Sequence, residues 1–202
     1  MREINLHVTT TYTATIDTRN VKPDQLVDLG GGRTALSFGT FFSEEYAEVV
    51  KVARRNGGQV LYAATSIEQS IENILLNYFM GPFTPMNSPR QLFEVEVLQS
   101  SALTYRAKKD LLSKVINESG ALSGKRKNKL QSHLKKVMEW RNAFAHGKIQ
   151  HDATKGCVVR YYSGDSKQLT LSENTLDEIE HTFKECRTLL NLVLSRIIGD
   201  GK

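Results

Sequence analysis

The chain has 202 residues, of which 40% are hydrophobic and 24% charged, with a formal net charge of +5. That balance fits one globular domain with elaborations and excludes an intrinsically disordered chain. No apolar run approaches the ~20 residues of a membrane helix, and no basic amino-terminal segment leads into an apolar core, so a cytoplasmic protein with no membrane partner is expected.

In chain order, Ile4, Leu6, Val8, Thr10, Tyr12, Ala14 and Ile16 alternate strictly and predict a strand with one wet face. Asp28-Leu29-Gly30-Gly31-Gly32-Arg33 interrupts this pattern, and Leu36, Phe38 and Thr40 resume a weaker alternation. Residues 1–42 are therefore expected to form a small antiparallel β elaboration. Ser43 can cap a helix carrying Tyr46, Val49, Val50 and Ala53 on one face, with Asn56-Gly57-Gly58 as its expected stop. Val60, Ala63, Ala64, Ile67, Ile71, Ile74, Leu75, Tyr78 and Phe79 predict a second, longer helix that ends in a loop from Gly81 to Pro89.

A third helical segment begins near Gln91, breaks around Ser100–Leu103 and restarts at Thr104 with Leu111, Leu112, Val115 and Ile116. A Gly/Ser/Lys linker over Ser119–Lys129 is expected to lead into a helix from about Asn128 to His146. Cys157–Tyr162 and Gln168–Leu171 flank Ser163-Gly164-Asp165-Ser166 and predict a β-hairpin. Ser172 can cap a last helix whose Leu176, Ile179, Phe183, Cys186, Leu190, Val193 and Ile197 form a seam. Periodicity leaves open whether that seam is core or dimer interface. The whole reads as one domain over 1–202, mainly α, with a helical bundle over 43–202 and a hairpin insertion near 157–171. Cys157 and Cys186 stand far apart, outside any CxxC spacing, so reduced, buried thiols are expected rather than a disulfide or zinc site.

Charge is unevenly placed. Between Gly120 and Lys155, nine cations face only Glu139 and Asp152, so this segment carries +7 and the rest of the chain −2. Lys125, Arg126, Lys127, Lys129, Lys135, Lys136 and Lys148 are the candidate RNA-binding residues within it. A solvated helix face with a lysine-rich loop explains the same charges equally well. The segment also holds Arg141-Asn142-Ala143-Phe144-Ala145-His146-Gly147 at a helix end. Arg141 falls in the middle of a face made by Leu130, Leu134, Val137, Phe144 and Ala145, where an unpaired guanidinium is costly. His146 follows four intervening residues later, with Gly147 as the stop.

This motif resembles the HEPN family, all-helical domains marked by an Arg, a short spacer and a His, usually with a polar residue after the Arg. The resemblance covers residues 60–198 by helix order and motif. It implies a homodimer with the two motifs face to face, catalytic roles for Arg141, Asn142 and His146, and no metal or cofactor. It further implies a ribonuclease of toxin–antitoxin, anti-phage or RNA-processing type, with RNA and a cognate antitoxin or defence-system protein as the partners it admits. Some members only bind, so a non-catalytic RNA- or protein-binding module is the alternative. Members paired with nucleotidyltransferase antitoxins carry a Tyr where this chain has Lys148, which argues against that mode of regulation.

The chemistry suits the residues. His can move the protons of a 2′-OH attack and a 5′-oxygen departure, and Arg can hold the charge that develops on phosphorus. Five residues turn an ideal helix by about 140°, so Arg141 and His146 work together only if the helix end unwinds or two chains share the site. A structural alternative pairs Arg141 with Glu68 or Glu72 and leaves His146 capping carbonyls. Gly30-Gly31-Gly32-Arg33 lacks a Gly-Lys-Ser/Thr continuation and reads as a turn. His151-Asp152 lacks further ligands, and Trp140 is expected on the helix surface, stacked on a base or, more often for such a residue, packed against a neighbouring element or an oligomer partner.

Overall fold

The apolar stripe from Val60 to Leu75 lies on a helix far longer than its own pattern. The computed structural model describes residues 26–28, 34–36, 44–81, 88–152 and 154–199, and in it helix α1 runs unbroken from Glu44 to Met80. The expected stop at Asn56-Gly57-Gly58 does not occur, and the reason is packing. Gly57 is buried, and a Cβ built on it would stand 2.8 Å from Cδ1 of Phe144, so this glycine makes room for a ring of the motif segment. A helical glycine costs about 0.5–1 kcal/mol relative to Ala, and the half-buried Phe144 ring offsets that with part of the roughly 1.5–3 kcal/mol that full burial of such a side chain contributes. Tertiary contact wins over local propensity. The expected Ser43 cap lies outside the described residues.

The chain divides into two compact units, Met1–Ser43 and Glu44–Lys202. In the first, β1 (Leu26–Asp28) and β2 (Thr34–Leu36) pair antiparallel, with Leu26 opposite Leu36 and Asp28 opposite Thr34. These strands bracket the glycine run. The strand predicted over Ile4–Ile16 lies outside the described residues.

The second unit is mainly α with one small antiparallel sheet. Helix α2 (Ser88–Leu92) passes into a π-helical turn, Phe93–Leu98. The chain then breaks as expected and restarts as α3 (Tyr105–Ser119), whose first turn is capped by the Thr104 hydroxyl accepting from the Ala107 N–H at 3.3 Å. Helix α4 spans Gly124–His146. It starts earlier than predicted, because Lys and Arg are good helix formers and the basic run becomes its first turns. The linker shrinks to Gly120–Ser123, with Gly120 left-handed (φ 65°) and Ala121 and Leu122 tucked into the core.

Beyond α4 come β3 (Lys148–Asp152), β4 (Gly156–Tyr162) and β5 (Ser166–Thr170), in sheet order β3–β4–β5. The predicted hairpin is β4–β5. The insertion is larger than expected, since β3 adds a strand with Ile149 opposite Val159. Asp152 shapes the β3–β4 turn by accepting from the backbone N–H groups of Thr154 (3.0 Å) and Lys155 (3.1 Å), a structural role for half of the His151-Asp152 pair.

Helix α5 (Glu173–Gly199) is capped by Ser172, whose hydroxyl accepts from the Thr175 N–H at 3.3 Å. Ile179, Phe183, Cys186, Leu190, Val193 and Ile197 are all buried against the bundle, so this part of the seam is core within the chain, while Leu176 is half-buried in the wall of a groove. Helix α1 packs against α3, α4 and α5 and carries the centre of that core. Cys186 is buried, Cys157 is half-buried, and both thiols are free. No helix among the described residues is long and apolar enough to cross a membrane.

Candidate functional site

Helix α4 positions the motif by sending different faces to different neighbours. Leu130, Leu134 and Val137 are buried, and the Tyr105 hydroxyl of α3 donates to the Leu134 carbonyl over a long 3.5 Å, so this face meets α1 and α3. The next face meets α5 through Trp140, only 7% exposed, whose ring stacks on Phe183 at a centroid distance of 6.2 Å. Trp140 therefore packs against a neighbouring element, one of the expected alternatives, and is buried there rather than on the surface, with no free face to offer a base. Ala145, expected on the apolar face, is exposed, and Ala143 takes the buried position instead.

The helix stays regular through His146, where the Gly147 N–H donates to the Ala143 carbonyl at 2.8 Å. Gly147 has φ −86°, so it is not a left-handed stop. A side chain is excluded for another reason: a Cβ there would meet Ala143 O at 2.2 Å and Val159 Cγ1 at 2.5 Å. The missing side chain lets the chain turn straight from α4 into β3 and leaves the exposed His146 at the helix end.

Because the end does not unwind, Arg141 and His146 of one chain project about 140° apart. His146 instead shares a flank with Asn142 and Lys135, all within about 40° of one another and over roughly 16 Å of helix. Glu139 lies on that flank between them. Asn142 is half-buried, and Lys135 lines a polar cleft of about 530 Å³ between α3 and α4 with Lys109, Asp110, Asn128 and Gln131. A larger groove, about 580 Å³ between α1 and α5, has Val60, Leu176 and Phe183 in its wall and includes none of the motif residues.

Arg141 is half-buried, yet its guanidinium has no hydrogen bond or ion pair among the described residues. The two carboxylates expected to pair with it are occupied. Lys108 of α3, with its side chain 5% exposed, reaches Glu68 Oε1 at 2.7 Å and Glu72 Oε1 at 2.5 Å. Burial works against the Lys108 ammonium, but its hydrogen bonds and attraction to Glu68 and Glu72 prevail, and its pKa lies above the ordinary lysine value. Burial foremost, then Cys186 and Glu68, raises the Tyr105 hydroxyl pKa, while Arg141 opposes the shift. The phenol is thus neutral and sits within the electrostatic reach of both Glu68 and Arg141. Burial also pushes the Cys186 thiol up to about 12, which leaves it protonated and unreactive.

Sequence reasoning missed this lysine, although two signals pointed to it. Glu68 and Glu72 are an i, i+4 like-charge pair beside an apolar stripe, which calls for a cation. Lys108 falls four residues before Leu112 on the buried face of α3.

The candidate RNA-binding cations divide into two groups. Lys129 pairs with Glu185 at 2.6 Å and Lys136 pairs with Glu178, both on α5. Lys125, Arg126, Lys135 and Lys148 are exposed and Lys127 half-buried, with no ion pair among the described residues. No family model, curated protein or solved structure matches this chain.

Proposed function

We propose that the chain is a HEPN-like, metal-independent endoribonuclease of toxin or anti-phage defence type, working as a homodimer in which the Arg141 of one copy serves the His146 of the other. The observation that carries this reading is a half-buried guanidinium, unpaired among the described residues, and an exposed imidazole on one regular helix end, about 140° apart. RNA lying along the Lys135–Asn142–His146 flank would meet one chain's imidazole but not that chain's guanidinium, so a second copy supplies it.

The reaction follows from those groups. An imidazole takes the proton of the 2′-OH, whose oxygen attacks phosphorus. The bond from phosphorus to the 5′-oxygen breaks, and a protonated imidazole returns a proton to that leaving oxygen. Arg141 bonds two phosphoryl oxygens through its planar fork and stabilises their growing charge. Products carry a 2′,3′-cyclic phosphate and a 5′-hydroxyl, and DNA, lacking the 2′-OH, survives. A cytoplasmic site of action, and an antitoxin or defence-system partner, belong to the same reading.

The test is an RNase assay on pure protein in excess EDTA, with His146→Ala as control and a solution-mass measurement alongside. Cleavage that needs His146 and a dimer mass are expected. If wild-type and control are equally inactive but both bind RNA, the chain is a binding module. A monomer at tens of micromolar (well above the concentrations of ordinary working dimers) removes the shared site.

A further inference from the structure

We propose that Lys108 is a positioning residue: by clamping Glu68 and Glu72 together it keeps both carboxylates away from Arg141 and so holds that guanidinium open for a phosphate group. The part concerning phosphate rests on the ribonuclease reading; the clamp itself does not.

The argument begins with a mismatch. Arg141 is half-buried on α4, which packs against the helix that carries two nearly buried carboxylates, and a guanidinium so placed should pair with them, since ion pairing offsets the cost of burial. Glu68 and Glu72 have side chains only 18% and 14% exposed, and Glu68 and Arg141 both act electrostatically on the Tyr105 hydroxyl, in opposite directions. Yet one ammonium, itself 5% exposed, bonds both carboxylates, and Arg141 bonds neither. Lys108 suits that task because an ammonium is a compact point charge with three donors, able to bridge two carboxylates on successive turns of α1. A forked guanidinium would chelate one of them. The assignment of cations is thus split by geometry: the lysine neutralises the core, and the arginine is kept for a ligand.

Removing the ammonium while leaving the carboxylates should redirect them to Arg141. The readout is the rate at which an arginine-selective dicarbonyl, phenylglyoxal, modifies Arg141, followed by peptide mass spectrometry with the exposed Arg106 and Arg126 as internal references. Affinity for a single-stranded RNA oligonucleotide is measured in the His146→Ala background, so that nothing is cut. In Lys108→Met, Arg141 modification should slow by about tenfold, the factor carried by one charge-assisted hydrogen bond, and RNA affinity should fall by a similar factor. Adding Glu68→Gln and Glu72→Gln to Lys108→Met removes the competitors and should restore both towards wild type, which a merely structural role of Lys108 would not do. Should Lys108→Met fail to fold, Lys108→Met with Glu72→Gln leaves a single carboxylate, Glu68, and should still protect Arg141 relative to the triple variant.

Arg141 reactivity that is equal in the wild type, Lys108→Met and the triple variant overturns the proposal. The two readings fail separately. If reactivity follows the expected order but the wild type neither binds nor cuts RNA, the clamp stands and the ribonuclease reading falls. If the wild type cuts RNA while Arg141 reactivity ignores the triad, the clamp falls and the ribonuclease stands.

Discussion

At the scale of single residues, Arg141 and His146 differ from their neighbours in what they leave undone inside the fold. His146 is exposed and Arg141 has no partner among the described residues, so changing either should spare the structure. His146→Ala is expected to abolish cleavage and leave RNA binding nearly intact. Arg141→Lys should fail as well, since it keeps charge but loses the fork; Asn142→Ala should be milder, and the double variant no worse than either single one. Wild-type cleavage by nuclease-free His146→Ala would end the ribonuclease reading. His133 offers a contrasting case. It is 9% exposed, and neither ring nitrogen has a hydrogen-bond partner among the described residues. Burial first, then Lys129 and Lys136 and to a lesser degree His181, lower its pKa below 6.5, against the pull of Glu185. As pH falls through about 6.5, the unfolded chain takes up a proton that the folded imidazole still refuses. Stability from this site is therefore full above about pH 6.5 and is lost as pH falls towards and through the lower folded value. His133→Leu should flatten that loss, seen as urea midpoints at about pH 7.5 and about pH 5.5 lying closer together than in wild type. At the higher pH it should match or exceed wild-type stability by up to about 1–2 kcal/mol, because no buried polar atom is left unpaired. An unchanged pH profile would show that His133 is not the titrating group.

Among the elements, the legible ones were those whose own side chains set their packing. The 3,4 spacing of α5 named six of its buried residues because the stripe that repeats is the stripe that packs, though it missed Leu189 and included the half-buried Leu176; Ser172 was readable as a cap and Thr104 as a restart because caps act within three residues. The misread elements depend on distant partners. Gly57 signalled a stop, yet it holds a continuous helix because Phe144, far along the chain, needs its space. Strand β3 has Ile149 as its only apolar residue, and its pairing with β4 supplies what alternation did not. The candidate site divides the same way: Arg141, Asn142 and His146 were visible as a motif, whereas Lys108 pairs with carboxylates 36 and 40 residues away. The two α1 glycines turn this into a measurement. Gly58 meets nothing within 4 Å, so Gly58→Ala should stabilise by about 0.5–1 kcal/mol through the unfolded state. Gly57→Ala must displace the Phe144 ring and should destabilise by about 1–3 kcal/mol. Since Phe144 lies between Arg141 and His146, it should also lower cleavage where Gly58→Ala does not. Equal stabilisation by both substitutions in urea unfolding would mean that the ring yields freely.

For the molecule as a whole, the excess of positive charge is less available than the sequence count suggests. Lys129 and Lys136 are tied to Glu185 and Glu178 of α5, so part of the +7 segment is balanced across the α4–α5 seam. Lys125, Arg126 and Lys127 at the start of α4, with Lys135 on the flank that carries His146, have no ion pair among the described residues. An RNA strand is drawn by phosphate neutralisation, and each contact contributes about 0.7 to the slope of log affinity against log salt for single strands. Replacing those four residues with Gln should therefore weaken RNA binding and reduce the slope by up to about 3, while turnover at saturating RNA persists because neither Arg141 nor His146 is touched. Replacing Lys129 and Lys136 with Gln should act differently. It leaves Glu185 and Glu178 unpaired, so RNA affinity should fall less per residue removed, and any loss should show as a small drop in stability, at most about 1 kcal/mol per exposed pair. Fluorescence titrations at several salt concentrations separate the two sets. If the four-residue variant keeps both wild-type affinity and wild-type slope, the start of α4 is a solvated helix face and RNA, if bound, approaches from elsewhere.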